Sequence, residues 1–295
     1  MPRSPSSVIP PPLPPAEVRS IAGRGEVFLR RTGSVGTGTP VLLIHGWQAT
    51  ADLNFFPLYE PLGRRHPVIA ADLRGHGRST YPEEPFTIED AADDNAALLD
   101  DLGIESAIVV GYSLGTAVTQ MMVGRHPERV AGIVLVGGEL APRSRAHEAL
   151  YNRVGGWQGT AQRLTAGRWA AHRIVDKAAR ENPTAEQLRG WLVTEMERGH
   201  VASLRAAGRS LARFDGRPIA AERSVPASVV VTRRDRLVRP ARQDRLAQAW
   251  RASVVDLDAN HDAPLAQPAA FVAATLDAVE RVQTSALRNI ERIAS

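Results

Sequence analysis

Cysteine is absent from all 295 residues. That excludes a disulfide framework, thiol catalysis and any Cys-ligated metal site. No apolar run approaches the roughly 20 residues that a membrane-crossing helix needs. The first fifteen residues hold seven Pro and no apolar signal core; residues 1–16 read as a flexible Pro-rich arm, and the chain is expected to be cytoplasmic, with no membrane span. Lysine is nearly absent. Lys177 is the only one, so 35 of the 36 basic residues are Arg. The net charge of +4 comes with no aromatic-interleaved basic motif, and nucleic acid is not an expected partner. His147, His172 and His200 are not read as metal ligands; no metal and no cofactor are expected.

What the chain does have is concentrated in a few short segments. Gly111-Tyr112-Ser113-Leu114-Gly115 lies between an apolar run, Ala107 to Gly111, and a helix-patterned stretch, Thr116 to Arg125. Gly-x-Ser-x-Gly in that context places a nucleophilic Ser on a sharp strand-to-helix turn, its hydroxyl exposed above a sheet. A helix start carries unpaired N–H groups, and that of Leu114 is a candidate oxyanion donor. A Ser hydroxyl needs a base, and the base needs a carboxylate to fix its tautomer. Both follow in order. Asp235 comes just past the strand-like Ser228 to Thr232, and His261 just past Ser253 to Leu257.

Upstream, the apolar Val41 to Ile44 ends in His45-Gly46-Trp47, whose Trp47 N–H is a second candidate oxyanion donor. After Val68 to Ala71 comes Asp72-Leu-Arg-Gly-His-Gly-Arg-Ser79, read as a structural turn. His45 and His76 belong to these motif loops and read as structural. His66 and His126 each precede a Pro at a helix end, so capping or solvent exposure is expected of them. Glu139, after the strand-like Gly132 to Val136, is the rival to Asp235 for the acid.

Taken together, these segments resemble the α/β-hydrolase family, in its lidded group of serine esterases, carbon–carbon hydrolases and cofactor-free haloperoxidases. The resemblance runs from about Val18 to Val282. It implies a mostly parallel, doubly wound sheet, with Ser113, Asp235 and His261 as the catalytic triad. Trp47 and Leu114 would form the oxyanion hole, and Trp47, Tyr112 and Val238 would line the substrate pocket. Two positions depart from the pattern. Thr232-Arg233-Arg234 stands where a Gly often precedes the acid, and Asn260 stands where a Gly often precedes the His. Asn tolerates left-handed backbone angles better than most residues, so the second departure is mild.

Residues 17–139 and 225–295 read as the core. Glu17 to Arg31 is an expected antiparallel hairpin turning at Gly23-Arg24-Gly25, and Thr87 to Asp90 an expected capping box. Strand–helix alternation then breaks over residues 140–224, which read as an inserted helical lid. Trp157, Trp169 and Trp191 fall there and are expected in the lid's own core. From Glu139 to Val225 there are 15 basic and 9 acidic residues, read first as a solvated helical surface, with attraction of an anionic substrate or acidic carrier as the alternative. A long final helix from Pro268 to Ile293, or the lid, offers surface for a homodimer. The expected activity is hydrolysis of a small ester or acyl substrate. Alternatives are carbon–carbon bond hydrolysis, a thioesterase or acyltransferase role, and a slow-turnover ligand receptor.

Overall fold

Short runs of Val, Ile, Leu and Ala, buried on both sides, build the centre of the molecule. In the computed structural model, which describes residues 9–32, 38–141 and 168–294, eight strands form one sheet. They are β1 (Ala16–Ile21), β2 (Gly25–Arg31), β3 (Val41–Ile44), β4 (Val68–Ala71), β5 (Ala107–Tyr112), β6 (Val130–Val136), β7 (Ala227–Thr232) and β8 (Ser253–Leu257). Their order is β1-β2-β4-β3-β5-β6-β7-β8. β1 and β2 form the expected antiparallel hairpin, and β2 also runs antiparallel to β4. The remaining pairings are parallel. Strands β3, β4 and β5 are buried at every residue, as continuous apolar runs in a covered parallel sheet should be.

Helices cover both faces. They begin with α1 (Ala51–Phe55), α2 (Tyr59–Gly63), α3 (Ile88–Asp101) and α4 (Leu114–Arg125). Between β6 and β7 come α5 (Arg168–Glu181), α6 (Pro183–Gln187), α7 (Arg189–Glu197), α8 (Val201–Arg213) and α9 (Arg217–Glu222). The chain closes with α10 (Pro240–Ala249), α11 (Ala263–Ala266) and α12 (Pro268–Ala294). Leu98 and Leu99 of α3, Val118 and Met122 of α4 and Leu246 of α10 share one apolar cluster. Leu62 of α2 with Phe271 and Val279 of α12 belongs to the cluster on the other face. Burying a side chain the size of Phe271 contributes about 2–3 kcal/mol. Thr87 caps α3 as its sequence suggests, its Oγ1 accepting from the Asp90 N–H at 3.0 Å.

The strand order locates the functional crevice. From β3 the chain steps to β4 on one side, then returns to place β5 on the other. Ligands of open α/β sheets bind outside the carboxyl ends of the strands at such a reversal. The residues there are Gly46 and Trp47 after β3, and Ser113 after β5.

The insertion is helical in its described part; residues 142–167, and Trp157 with them, lie outside the described residues. Trp191 is buried in a small cluster with Val175 of α5, Leu53 of α1 and Leu265 of α11. Trp169 departs from expectation. It is 61% exposed, with the Arg173 guanidinium 4.7 Å above its ring. The inward stripe of α5 is Ala171, Val175 and Ala178, and helical spacing puts Trp169 on the opposite side. The N-terminal arm also differs where it is described. Leu13 packs against two apolar clusters, and the Pro14 carbonyl accepts from Arg30 Nη1 at 2.6 Å. Proline lacks an N–H but keeps its acceptor, so a Pro-rich segment can still be pinned.

Candidate active site

Ser113 sits at φ 53°, ψ −115°, a left-handed conformation rarely adopted by a residue with a Cβ. The turn is held by Ser113 N–H donating to Val136 O at 2.9 Å. Its tightness explains the flanking glycines. A Cβ at Gly111 would collide with the Gly115 carbonyl and Thr119 Oγ1, and one at Gly115 with the Ile44 carbonyl.

The structure brings the three residues expected to work together into one line. His261 Nε2 lies 3.0 Å from Ser113 Oγ, and His261 Nδ1 lies 2.7 Å from Asp235 Oδ2. Asp235 is only 4% exposed, and its carboxylate is held from several directions. Oδ1 accepts from the N–H groups of Leu237 at 2.8 Å and Val238 at 2.9 Å. Oδ2 accepts from Thr232 Oγ1 at 2.8 Å and Gln243 Nε2 at 3.3 Å. Burial alone would raise the Asp235 pKa. The hydrogen bond and charge of His261, with the Val238 and Thr232 donors, outweigh it and hold the carboxyl below its ordinary value.

The Glu139 carboxylate is engaged elsewhere, its Oε2 accepting from Arg242 Nη1 at 3.0 Å. Asn260 is not among the described residues with positive φ, so backbone freedom is not its use. Its Oδ1 accepts from the N–H groups of His261 at 2.8 Å and Arg236 at 3.2 Å, tying the loops of Asp235 and His261 together. Tyr112 donates its hydroxyl proton to the His261 carbonyl.

Gly46 and Trp47 pass directly over Ser113: a Cβ on Gly46 would stand 3.3 Å from the Ser113 Cβ. Asn54 of α1 holds this loop, its Oδ1 accepting from the Gly46 N–H at 2.8 Å. The Trp47 indole donates to the Leu204 carbonyl of α8 at 2.6 Å. A cavity of about 530 Å³ opens above Ser113, walled by Trp47, Tyr112 and Leu53 below and by Ala171, Ile174 and Met196 of the insertion above. Val238 does not line it. That side chain is 8% exposed, and its backbone is spent on the acid, the N–H holding Asp235 and the carbonyl accepting from Gln243 Nε2 at 2.7 Å.

Sequence reasoning missed Asn54, Thr232 and Gln243. Each is a polar side chain buried by tertiary contact, with no spacing to announce it. Among the described residues, no histidine other than His261 lines the cavity. His66 is 4% exposed rather than solvent-facing, its Nδ1 bonded to the Thr39 carbonyl at 2.8 Å. His126 Nε2 pairs with Asp93 Oδ1 at 2.7 Å. His172 and His200 do not line the cavity, and His147 lies outside the described residues.

His45 and His76 stack edge to face, 5.3 Å between ring centres, beneath the Gly46 loop. Burial pushes the His45 pKa down to about 3, with the neighbouring His76 adding to it; burial pushes His76 down to about 4. Between pH 6.5 and about 4 the unfolded chain therefore binds a proton on His76 that the folded chain does not. Stability falls as pH drops through that window. Asp72 acts in the opposite sense. Burial raises its pKa to about 6 against the hydrogen bonds it accepts, so the folded chain holds a proton there that the unfolded chain has lost. His76→Phe keeps a ring against Phe86 and His45 but cannot be protonated. It is expected to remove on the order of 3 kcal/mol of the acid-induced loss over that window. Urea midpoints from pH 7 to 4 measure this, and a profile parallel to the wild type would place the acid sensitivity elsewhere.

Comparison with known proteins agrees with this architecture. The chain is 30% identical over 254 residues, 82% of its own length and 94% of the other's, to a pimeloyl-[acyl-carrier protein] methyl ester esterase of Neisseria meningitidis. Among solved structures, a thermophilic esterase from Thermogutta terrifontis superposes with a TM-score of 0.73 at 25% identity, covering 91% of this chain and 99% of that one. An enol-lactonase from Burkholderia xenovorans superposes with a TM-score of 0.69 at 25% identity, covering 90% of this chain and 100% of that one. Residues 39–268 match the model of the alpha/beta hydrolase fold, and the chain belongs to that family.

Proposed function

We propose that the protein is a serine hydrolase that cleaves a carboxylic ester through an acyl-enzyme on Ser113. One observation carries the reading: His261 lies 3.0 Å from the Ser113 hydroxyl on one side and 2.7 Å from the Asp235 carboxylate on the other. With Nδ1–H donated to Asp235, the Nε2 lone pair faces Ser113 and can take its proton. Ser113 Oγ then bonds to the acyl carbon, and the carbonyl oxygen becomes an oxyanion. The N–H groups of Trp47 and Leu114 are the donors proposed to hold it. The intermediate collapses with loss of the alcohol, which takes the proton from His261. Water attacks the acyl-enzyme with His261 again as base and releases the acid, restoring Ser113. Every step uses groups of this chain, so no cofactor is invoked.

Residues 140–224 act in this proposal as a lid that selects the acyl group while the core does the chemistry. The apolar wall formed by Leu53, Ile174, Met196, Leu204 and Leu265 suits an unbranched aliphatic chain. That fits an ester of the general kind named for the Neisseria relative. The test is a panel of nitrophenyl esters of increasing acyl length, with thioesters and vinylogous diketones in parallel. Oxyesters of medium chain length are expected to show the highest kcat/KM. Faster turnover of the diketones would move the assignment to carbon–carbon cleavage. Release of only one equivalent of product, with no further turnover, would make the protein a receptor that retains the triad.

A further inference from the structure

The helical insertion between β6 and β7 reaches the loop above Ser113 through side-chain hydrogen bonds. One buried carboxylate offers a route. Glu195 on α7 is 1% exposed, and its neighbours Met196 and Glu197 line the cavity above Ser113. Oε1 accepts from Arg198 Nε at 2.9 Å and from Arg78 Nη2. Oε2 accepts from Thr50 Oγ1 at 2.8 Å. Thr50 is the N-cap of α1, the same oxygen accepting from the Leu53 N–H at 3.0 Å. One turn on, Asn54 holds the Gly46 N–H at 2.8 Å. The line thus runs from the insertion, through a buried carboxylate and a helix cap, to the loop over the nucleophile.

The charges around Glu195 make this a fixed point. Arg78 also contacts Asp72 Oδ2 at 3.4 Å and Asp52 Oδ2 at 3.5 Å. Arg30 Nε pairs with Asp52 Oδ1 at 2.7 Å. Asp72 Oδ1 in turn accepts from the Ala51 N–H at 2.8 Å, at the first residue of α1. The start of α1 is therefore gripped by Glu195 from the insertion and by Asp72 from the core, with Arg78 between the two carboxylates. Buried charges paired on several sides lock one geometry, because removing a partner strands the others away from water.

We propose that Glu195 is a positioning residue: it sets the Gly46–Trp47 loop from the insertion by holding the Thr50 cap of α1. The assignment rests on the reading of Trp47 N–H as an oxyanion donor. Glu195 touches no reacting atom. Its effect should therefore fall on transition-state stabilisation and spare ground-state binding.

The experiment compares wild type with Glu195→Gln and Thr50→Val. Three quantities are read: steady-state hydrolysis of a nitrophenyl ester, inhibition by an aryl-alkyl trifluoromethyl ketone, and amide hydrogen exchange over residues 42–56. The ketone forms a hemiketal oxyanion on Ser113 and so reports the donors directly. Both variants are expected to lose about tenfold in kcat and in ketone affinity, with KM changed less than about twofold. That is part of the roughly 10²–10³-fold cost of deleting an oxyanion donor outright. Exchange at Gly46 and Trp47 should accelerate in both. If Glu195→Gln does not fold, Thr50→Val removes the same link together with the cap on the Leu53 N–H and leaves the ion pairs in place. Lower melting temperature with unchanged ketone affinity and unchanged exchange over residues 42–56 would make Glu195 merely structural and overturn the proposal. A wild type that neither turns over esters nor binds the ketone would instead remove the ester reading. The exchange measurement would then still decide whether Glu195 holds the loop.

Discussion

Ser113→Ala is expected to lower kcat for ester hydrolysis by roughly 10⁴–10⁶-fold while leaving the fold intact. The first half follows from the chemistry. Without Oγ no acyl-enzyme forms, and the residual rate comes from binding and oxyanion donors acting on water. The second half follows from the backbone. Ser113 holds φ 53° because its N–H is fixed to the Val136 carbonyl and the helix behind it begins at Leu114. Alanine carries the same Cβ, so the strain is unchanged and nothing that holds the turn is lost. The melting temperature should stay within a few degrees of wild type. A fluorophosphonate should add one equivalent to the wild type at Ser113 and none to the variant. More than a few per cent residual activity, with the label absent, would mean that another group attacks the substrate.

The features legible in the sequence are those set by local spacing. The turn at Ser113 is announced by an apolar strand on one side, a helix-patterned stretch on the other and two glycines where a Cβ would collide with backbone. The hairpin of β1 and β2 and the cap at Thr87 are equally local. Chain order also pointed to Asp235 and His261, because both follow recognisable short strands. The reversal of strand order that puts Trp47 beside Ser113 is a three-dimensional property and shows only in the folded sheet. Buried polar groups escaped for a related reason. Thr232, Gln243 and Asn54 become useful because distant segments close over them, and nothing in their neighbours marks them. Trp169 and Val238 show the reverse error. A large apolar side chain suggests burial or a pocket wall, yet the stripe formed by Ala171, Val175 and Ala178 turns Trp169 outward. Val238 serves the acid through its backbone, a use no side-chain argument would find. The pattern Thr232-Arg233-Arg234 needs no glycine, because none of the three has positive φ, and the Thr232 hydroxyl donates to Asp235.

Asp235→Asn should cost on the order of 10⁴ in kcat, while Glu139→Gln should change it by less than about tenfold. An amide at 235 cannot favour one imidazole tautomer as the carboxylate does. It presents an NH₂ to His261 Nδ1 as readily as a carbonyl, and an imidazole that accepts at Nδ1 points its proton at Ser113 instead of a lone pair. The charge matters as well. The imidazolium formed during attack sits 2.7 Å from Asp235, in a site where the carboxylate is 4% exposed, and a neutral amide offers it much less. The donors on Asp235 sharpen the contrast: Leu237, Val238, Thr232 and Gln243 are all oriented toward an acceptor, and the NH₂ of Asn would have to face at least one of them. Stability should therefore fall along with activity, which is why kcat is compared per mole of folded protein, with the folded fraction read from circular dichroism. Glu139 is buried as well, but its carboxylate pairs with Arg242 at 3.0 Å. Its loss should appear mainly as a lower melting temperature, because the buried ion pair with Arg242 is replaced by a neutral amide. The opposite ranking, with Glu139→Gln near 10⁻⁴ of wild type and Asp235→Asn nearly unaffected, would place the acid after β6 and leave Asp235 a structural carboxylate.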